Sequence, residues 1–320
     1  MTPEASIAPR TVISVNVPCY HQLPHLKSSI ATILAQTFPD FEVNLLDDGQ
    51  SDEYRDYAVS LGDSRVHYVR NPERLGAMRN IFHAIFSGTG EYSLAFHEDD
   101  LLEPNYLAAA MNIFKSHPDC GFVAAEVRAF SDGPATSSIR SKTDYPAYEV
   151  FRSGAEFVGG IFRGVEPMFG SVIYRRAAIA GLVPDHDRYG TLVDRPFLLS
   201  ILEKWNAAVI REPVAWYRSH GEQDERHGGM TSAHILELLK TYRALLPKEM
   251  SVRDKALFFA YAGDWLGILY RLTPAEQKPS FARFMFQAWR EGLYSPRWER
   301  RFGLGRIRRA VLPAAYQPVE

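Results

Sequence analysis

Short apolar runs alternate with stretches of helical periodicity along the first 125 residues. Thr11–Val17 is rich in β-branched residues and closes at Pro18, which predicts a strand. Leu23, Leu26, Ile30, Ile33 and Leu34 then recur at helical spacing. The alternation continues with a strand over Phe41–Leu46, a helix N-capped by Ser51 that takes in Tyr57 and Val59, and a strand over Val66–Val69. Met78, Ile81, Phe82, Ile85 and Phe86 mark another helix face, and Tyr92–Phe96 a fourth strand. Pro104 opens a helix carrying Leu107, Met111 and Phe114, since its fixed φ and missing donor suit a first turn. Gly121–Ala125 reads as a fifth strand. Strands and helices joined this briefly imply an α/β fold, a mostly parallel sheet with helices on both faces.

From Ser131 to Gly164 the periodicity weakens among Gly, Pro, Ser and Thr, and a long irregular segment in a compact domain is often a functional loop. Order returns with a strand over Gly170–Tyr174, helices over Arg175–Ala180 and Phe197–Trp205, and a strand over Ala207–Ile210. Beyond the polar stretch His220–Gly229 only helical patterns occur, through Ile235, Leu238, Leu239 and Tyr242 and then through Leu257, Tyr261, Trp265, Ile268 and Leu269. The predicted organisation is an α/β domain over residues 1–225 and an all-helical region over 226–320.

Composition narrows the classes open to the 320-residue chain. With 46% hydrophobic and 23% charged residues it reads as globular, and a net charge of −2 gives no electrostatic case for nucleic acid as a partner. Cys19 and Cys120, each beside an apolar run, read as buried thiols in a reducing compartment. Met1–Arg10 has no apolar core of a leader peptide and no run approaches the length of a membrane span, so a cytoplasmic location is expected.

The chemistry concentrates at Phe96-His97-Glu98-Asp99-Asp100, where a strand runs into three consecutive acids. Acids at the carboxyl edge of an open sheet stand where such folds bind ligands, and a divalent cation would relieve their mutual repulsion. An acidic turn ahead of the next helix is the alternative. After Val17 no glycine-rich loop follows, which argues against a dinucleotide fingerprint. Tyr20 offers instead a flat face for a nucleobase, or is a core tyrosine. Asp48 can accept a hydrogen bond from the ring N–H of uracil or thymine, or belongs to a plain Asp-Asp-Gly turn.

Val15-Asn16-Val17-Pro18-Cys19-Tyr20, Gln36–Val43, Asp47–Asp52, then Asn71, Gly76, Arg79, Asn80 and His97–Asp100 together resemble the start of glycosyltransferase family 2. The resemblance is strong over residues 11–110 and looser to 223. It implies a GT-A fold, Rossmann-like with a mostly parallel central sheet, a nucleotide-sugar donor and inversion at the anomeric carbon. Pro18, Tyr20 and Asp48 would lie at the nucleotide, with Arg79 on its phosphates or bracing Asp48. Asp99 and Asp100 would take the ribose and a Mn²⁺ or Mg²⁺ ion, with Glu98 as a spacer. His97 stands where the family often keeps its first aspartate, which leaves its role open. Asp194 would be the general base, although Val193 replaces an acid common in the family and Asp194 is equally a natural N-cap; Asp185 and Asp187 are the fallback. His220 would reach the metal and diphosphate, and Arg218 would pair with diphosphate oxygens.

Between Phe281 and Val311 aromatic residues interleave with arginines. Such a composition suits the inner face of a membrane or a partner, or else packed helices with arginines in solvent. The expected activity is transfer of a sugar, UDP-linked, to a hydroxyl of a glycan or lipid-linked acceptor in bacterial surface polysaccharide synthesis. A sugar-phosphate nucleotidyltransferase and a non-catalytic binding protein on the same fold are the rivals.

Overall fold

The computed structural model describes residues 11–49, 51–130, 147–165, 167–218, 231–273 and 275–295. The chain divides into two units that interleave along the sequence. The first comprises Met1–Val150, Pro167–Gly181 and Trp205–Gln223, and the second Phe151–Glu166, Leu182–Lys204 and Asp224–Glu320.

The first unit opens with β1 (Ile13–Cys19), α1 (Leu23–Leu34), β2 (Phe41–Asp47), α2 (Glu53–Leu61), β3 (Val66–Arg70), α3 (Ala77–Phe86) and β4 (Tyr92–Ala95). It continues with β5 (Leu101–Leu102), α4 (Tyr106–Ser116), β6 (Cys120–Phe130) and β7 (Tyr148–Phe151) and, after an interruption, β8 (Ile173–Arg175), α6 (Arg176–Ile179) and β9 (Asn206–Arg218). The sheet order is β3-β2-β1-β4-β8-β6-β9-β5, with β7 also beside β9. The first four strands run parallel, as expected, while β8 is antiparallel to both neighbours and β5 to β9. Ile13, Val15, Val17 and Cys19 on one face of β1 are wholly buried, and so are Ser14 and Asn16 on the other, so both faces of the sheet are covered there. The chain leaves β1 towards β2 and β3, then returns to β4 on the other side of β1. That reversal makes the carboxyl ends of β1 and β4 the topological switch point, where open sheets leave a crevice.

Local boundaries depart from the expected ones for identifiable reasons. Ser51 does not cap α2: the N-cap is Asp52, without a side-chain cap bond, because Arg70 Nη2 holds both the Ser51 carbonyl and the Asp52 carboxylate at 2.7 Å. The helix expected from Pro104 begins at Tyr106, and the Pro104 carbonyl accepts from Thr37 N at 2.7 Å instead. β9 runs well past Ile210, since Arg211, which breaks the apolar run, bridges Glu126 at 2.8 Å and Glu149 at 3.2 Å.

The second unit contains α5 (Gly154–Phe162), α7 (His186–Tyr189), α8 (Asp194–Ile201), α9 (Ser232–Leu245), α10 (Val252–Leu272) and α11 (Phe281–Arg290). Helix α5 lies inside the segment expected to be irregular. Ser153 caps it by accepting from Glu156 N at 3.2 Å. Its Phe162 joins Tyr242, Phe258 and Tyr261 in an aromatic cluster with ring centroids 5.1–6.0 Å apart. This packing explains why residues 151–166, sited by sequence with the α/β domain, cluster with the helices instead. Tyr189 and Thr241 share a hydrogen bond of 2.8 Å, and Arg188 Nε reaches Glu237 at 2.9 Å, which ties the segment after Leu182 to α9. Asp194 is the first residue of α8 and not its cap, a position taken by Val193. Among the described residues no helix is long and apolar enough to cross a membrane.

Candidate functional site

Strand β4 pairs with β1 one residue beyond its regular end, with Phe96 N donating to Asn16 O at 2.9 Å. The chain then turns, Asp100 N reaching back to His97 O at 3.4 Å, and Leu101 enters β5 opposite Trp216. In this turn His97 and Asp99 are half-buried, while Glu98 and Asp100 face inward.

Glu98 is a brace, not a spacer. Its Oε1 accepts from Tyr20 N at 2.7 Å, and its Oε2 from the Tyr54 hydroxyl at 2.9 Å, which in turn accepts from Gln22 N at 2.8 Å. One carboxyl group thus fixes the end of β1 to the turn after β4. Burial pushes its pKa up to about 8, partly offset by the bonds from Tyr20 and Tyr54.

Asp100 is fully buried, and its Oδ1 accepts from Arg218 N at 2.9 Å. Arg218 Nε donates to the Asp99 carbonyl at 2.7 Å, and its guanidinium lies over the Phe130 ring at 4.6 Å. Within the described contacts Arg218 therefore shapes the acidic turn. Asp100 Oδ2 stands 3.4 Å from His97 Nδ1. Burial pushes the Asp100 pKa up to about 6, an effect that His97 opposes and the charge of Asp99 reinforces. His97, Asp99 and Asp100 each offer a ligand atom, all within 4.8 Å of one another. Two carboxylates and an imidazole around a buried oxygen that lacks a well-formed hydrogen bond fit a divalent cation. His97, the residue left open by sequence, is thus grouped with the two aspartates. Gly170 packs against its ring, and a Cβ there would lie 3.2 Å from Nδ1.

Asp48, at the end of β2, is 3% exposed and accepts three hydrogen bonds. Asn71 Nδ2 and Leu75 N reach Oδ1 at 2.9 and 2.7 Å, and Gly76 N reaches Oδ2 at 2.8 Å. Gly76 has φ +81°, which few side chains tolerate, so this close approach of the backbone suits glycine. A carboxylate has about four lone-pair positions, which leaves one for a ligand donor. Asn80 secures the same loop through Asn71 Nδ2 at 3.0 Å and Leu46 O at 3.1 Å. The described bonds to Asp48 come from Asn71 and two backbone amides, while Arg79 is exposed on α3.

Pro18 lies opposite Leu46 on β2. Tyr20 just beyond β1 is half-buried, with His21 edge-on at 4.1 Å and the Arg74 guanidinium over its ring at 4.5 Å. His21 has φ +57°, alone in positive φ among the described non-glycine residues, which ends the strand sharply. Sequence reasoning missed Arg74 and Tyr54; the signal for Arg74 was its place in the Asn71–Gly76 loop. Asp194 lies in the second unit, its Oδ2 3.7 Å from Arg195 Nε. Asp185 caps α7 by accepting from Arg188 N at 3.1 Å, and Asp187 is exposed. His220 lies outside the described residues.

Residues 14–171 match the family described as Glycosyl transferase family 2. An uncharacterized glycosyltransferase of Rickettsia typhi is 28% identical over 102 residues, 32% of this chain and 31% of that protein. The match spans about a third of the length of this relative and of a second Rickettsia glycosyltransferase, and less of the bifunctional glycosyltransferase pgtA of Dictyostelium discoideum. Among solved structures, Staphylococcus aureus TarS 1-349 in complex with UDP-GlcNAc superposes with a TM-score of 0.59 at 14% identity, covering 90% of this chain and 83% of that one. The mannosyltransferase PcManGT of Pyrobaculum calidifontis, in complex with GDP-Man and Mn²⁺, gives 0.50 at 16% identity, covering 94% and 86%. These likenesses show the GT-A fold.

Proposed function

We propose, from the match of residues 14–171 to glycosyltransferase family 2, that the protein is a metal-dependent, inverting glycosyltransferase. It moves a sugar from a UDP-linked donor to a hydroxyl of a glycan or lipid-linked acceptor, in bacterial surface polysaccharide synthesis. The observation that carries this reading is the cluster of His97, Asp99 and Asp100 at the switch point, with Glu98 joining it to the strand end that bears Tyr20. TarS was solved with UDP-GlcNAc, and PcManGT with GDP-Man and Mn²⁺.

His97, Asp99 and Asp100 would hold the cation, with His220 as a further proposed ligand. An imidazole among carboxylates favours Mn²⁺ over Mg²⁺. When bound, such an ion neutralises the diphosphate and the charge that develops on it. Tyr20 supplies a face for uracil, and Asp48 its remaining lone pair for the ring N–H. Arg79 and Arg218 are proposed for the phosphates. Asp194, or failing it Asp185 or Asp187, takes the proton of the acceptor hydroxyl as its oxygen bonds to the anomeric carbon and the bond to the diphosphate breaks.

A thermal-shift screen of UDP-, GDP- and CMP-sugars with and without Mn²⁺ tests the reading, because a ligand bound only by the folded form raises the apparent melting temperature. UDP-sugars with Mn²⁺ should give the largest rise, absent in Asp100→Asn. Shifts with GDP- or CMP-sugars alone would overturn the assignment of Asp48 to uracil. Release of pyrophosphate from a nucleoside triphosphate would point to a nucleotidyltransferase instead.

A further inference from the structure

Helix α11 presents an uncovered aromatic face. Phe281, Phe286 and Trp289 are 59%, 57% and 52% exposed, and at helical spacing they share one arc of about 140°. The adjoining edge seats the helix: Ala288 is buried, and Phe284 and the rim of Phe281 each lie 5.3 Å from the Tyr270 ring, so Phe286 and Trp289 are the uncovered centre of the arc. Arg283 and Arg290 are exposed along the edge of the arc beside Phe286, and among the described residues neither has a carboxylate partner. The nearest acid in sequence, Glu291, is already engaged by Lys240 Nζ at 3.6 Å and Gln287 Nε2 at 3.2 Å. From Lys278 to Arg309 the sequence has nine lysines and arginines against two acids, in a chain whose net charge is −2.

We infer that α11 is a membrane-surface anchor. Its aromatic face enters the boundary between headgroups and acyl chains of an anionic bilayer, and Arg283 and Arg290 pair with lipid phosphates. Large apolar side chains with arginines beside them are the composition of a helix that lies in the interface plane. The local basic excess matches the negative surface potential of such a bilayer. Ten residues span about 15 Å, too short to cross the hydrocarbon core. A second copy suits this face less well, because an antiparallel two-fold pairing would set the arginines of both copies along one edge. The inference is independent of the transfer reaction and fails or stands without it.

The test is co-sedimentation of the full chain with vesicles of phosphatidylcholine alone or with added phosphatidylglycerol. The chain should pellet with the second and stay in solution with the first, and raised salt should release it. Phe286→Ser/Trp289→Ser should lower the apparent affinity about tenfold or more, and Arg283→Gln/Arg290→Gln by a similar factor. Both should leave the melting temperature and the GT-A unit's response to nucleotide unchanged, since these side chains are solvent-exposed. Binding that either pair leaves intact, a chain that never pellets, a self-association that the aromatic pair abolishes, or a large loss of stability in that pair would each overturn the inference. The last two would assign the face to a second copy or to the chain's own C-terminal segment.

Discussion

Glu98 Oε1 accepts a hydrogen bond from Tyr20 N at 2.7 Å, across 78 residues of chain. The strand end that presents an aromatic face and the turn that presents Asp99 and Asp100 are therefore held by one carboxyl group.

That brace makes the stability of the fold depend on pH. Unfolded, the Glu98 carboxyl ionises near its ordinary 4.5; folded, it does so at about 8. Between these values the folded form keeps a proton that the unfolded chain has released, so stability falls as pH rises and the loss is complete above about 8. Glu98→Gln can keep both partners, with Oε1 accepting from Tyr20 N and Nε2 donating to the Tyr54 oxygen. Melting followed in EDTA should show the wild type losing stability from pH 6 to 8 relative to Glu98→Gln. Parallel profiles would mean that Glu98 is ionised in the fold.

How much of this was legible in the sequence depends on what each residue touches. The first strands were readable because β-branched residues gather in short runs closed by turn residues, as in Thr11–Val17 before Pro18. The direction of Glu98 was not, because a turn has no period from which inward and outward positions follow. The contact of Arg74 with Tyr20 joins residues 54 apart in sequence, and no local pattern reports it. Helix α5 was hidden by Gly154, Gly159 and Gly160; at Gly160 a Cβ would meet the Phe151 ring at 2.6 Å, so that glycine serves close packing.

Asp48 should matter to stability as well as to ligand. Asp48→Ala would leave Asn71 Nδ2, Leu75 N and Gly76 N without their acceptor, in a place where Asp48 itself is 3% exposed. Stranded donors cost about 1–3 kcal/mol each when water cannot reach them, and relaxation of the loop should hold the total to roughly 3 kcal/mol. Urea unfolding measures this. A variant as stable as wild type would show that the 71–76 loop is not held by Asp48, and would leave a nucleotide-only role.

Both cysteines should be silent in the folded chain. Cys19 and Cys120 are wholly buried, and burial pushes the Cys120 thiol up to about 12 and Cys19 well above its ordinary value. At pH 8 almost no thiolate forms, and the thiolate is the species that reacts. Titration with a thiol reagent should find no reactive group until denaturant is added, then two. Rapid labelling without denaturant would show that β1 or β6 opens readily.

Gly170 offers a test of His97 that leaves the ligands themselves untouched. A methyl group at this position would sit 3.2 Å from both Cε1 and Nδ1 of the His97 ring, so the ring must give by a few tenths of an ångström. Gly170 follows Phe169 in a short turn, and its backbone has no positive φ that would by itself oppose alanine. The strain therefore falls on the imidazole and on its 3.4 Å approach to Asp100 Oδ2. If His97 is a ligand, Gly170→Ala should weaken Mn²⁺ binding about tenfold, the scale of a disturbed ligand orientation. Titration calorimetry with Mn²⁺ alone reads this, with His97→Ala as the reference for complete loss of the imidazole. Should His97→Ala bind Mn²⁺ as tightly as the wild type, the cation would rest on Asp99 and Asp100 without it. Should only Gly170→Ala be weakened, the glycine would act through the Phe169–Ser171 turn and not through the histidine.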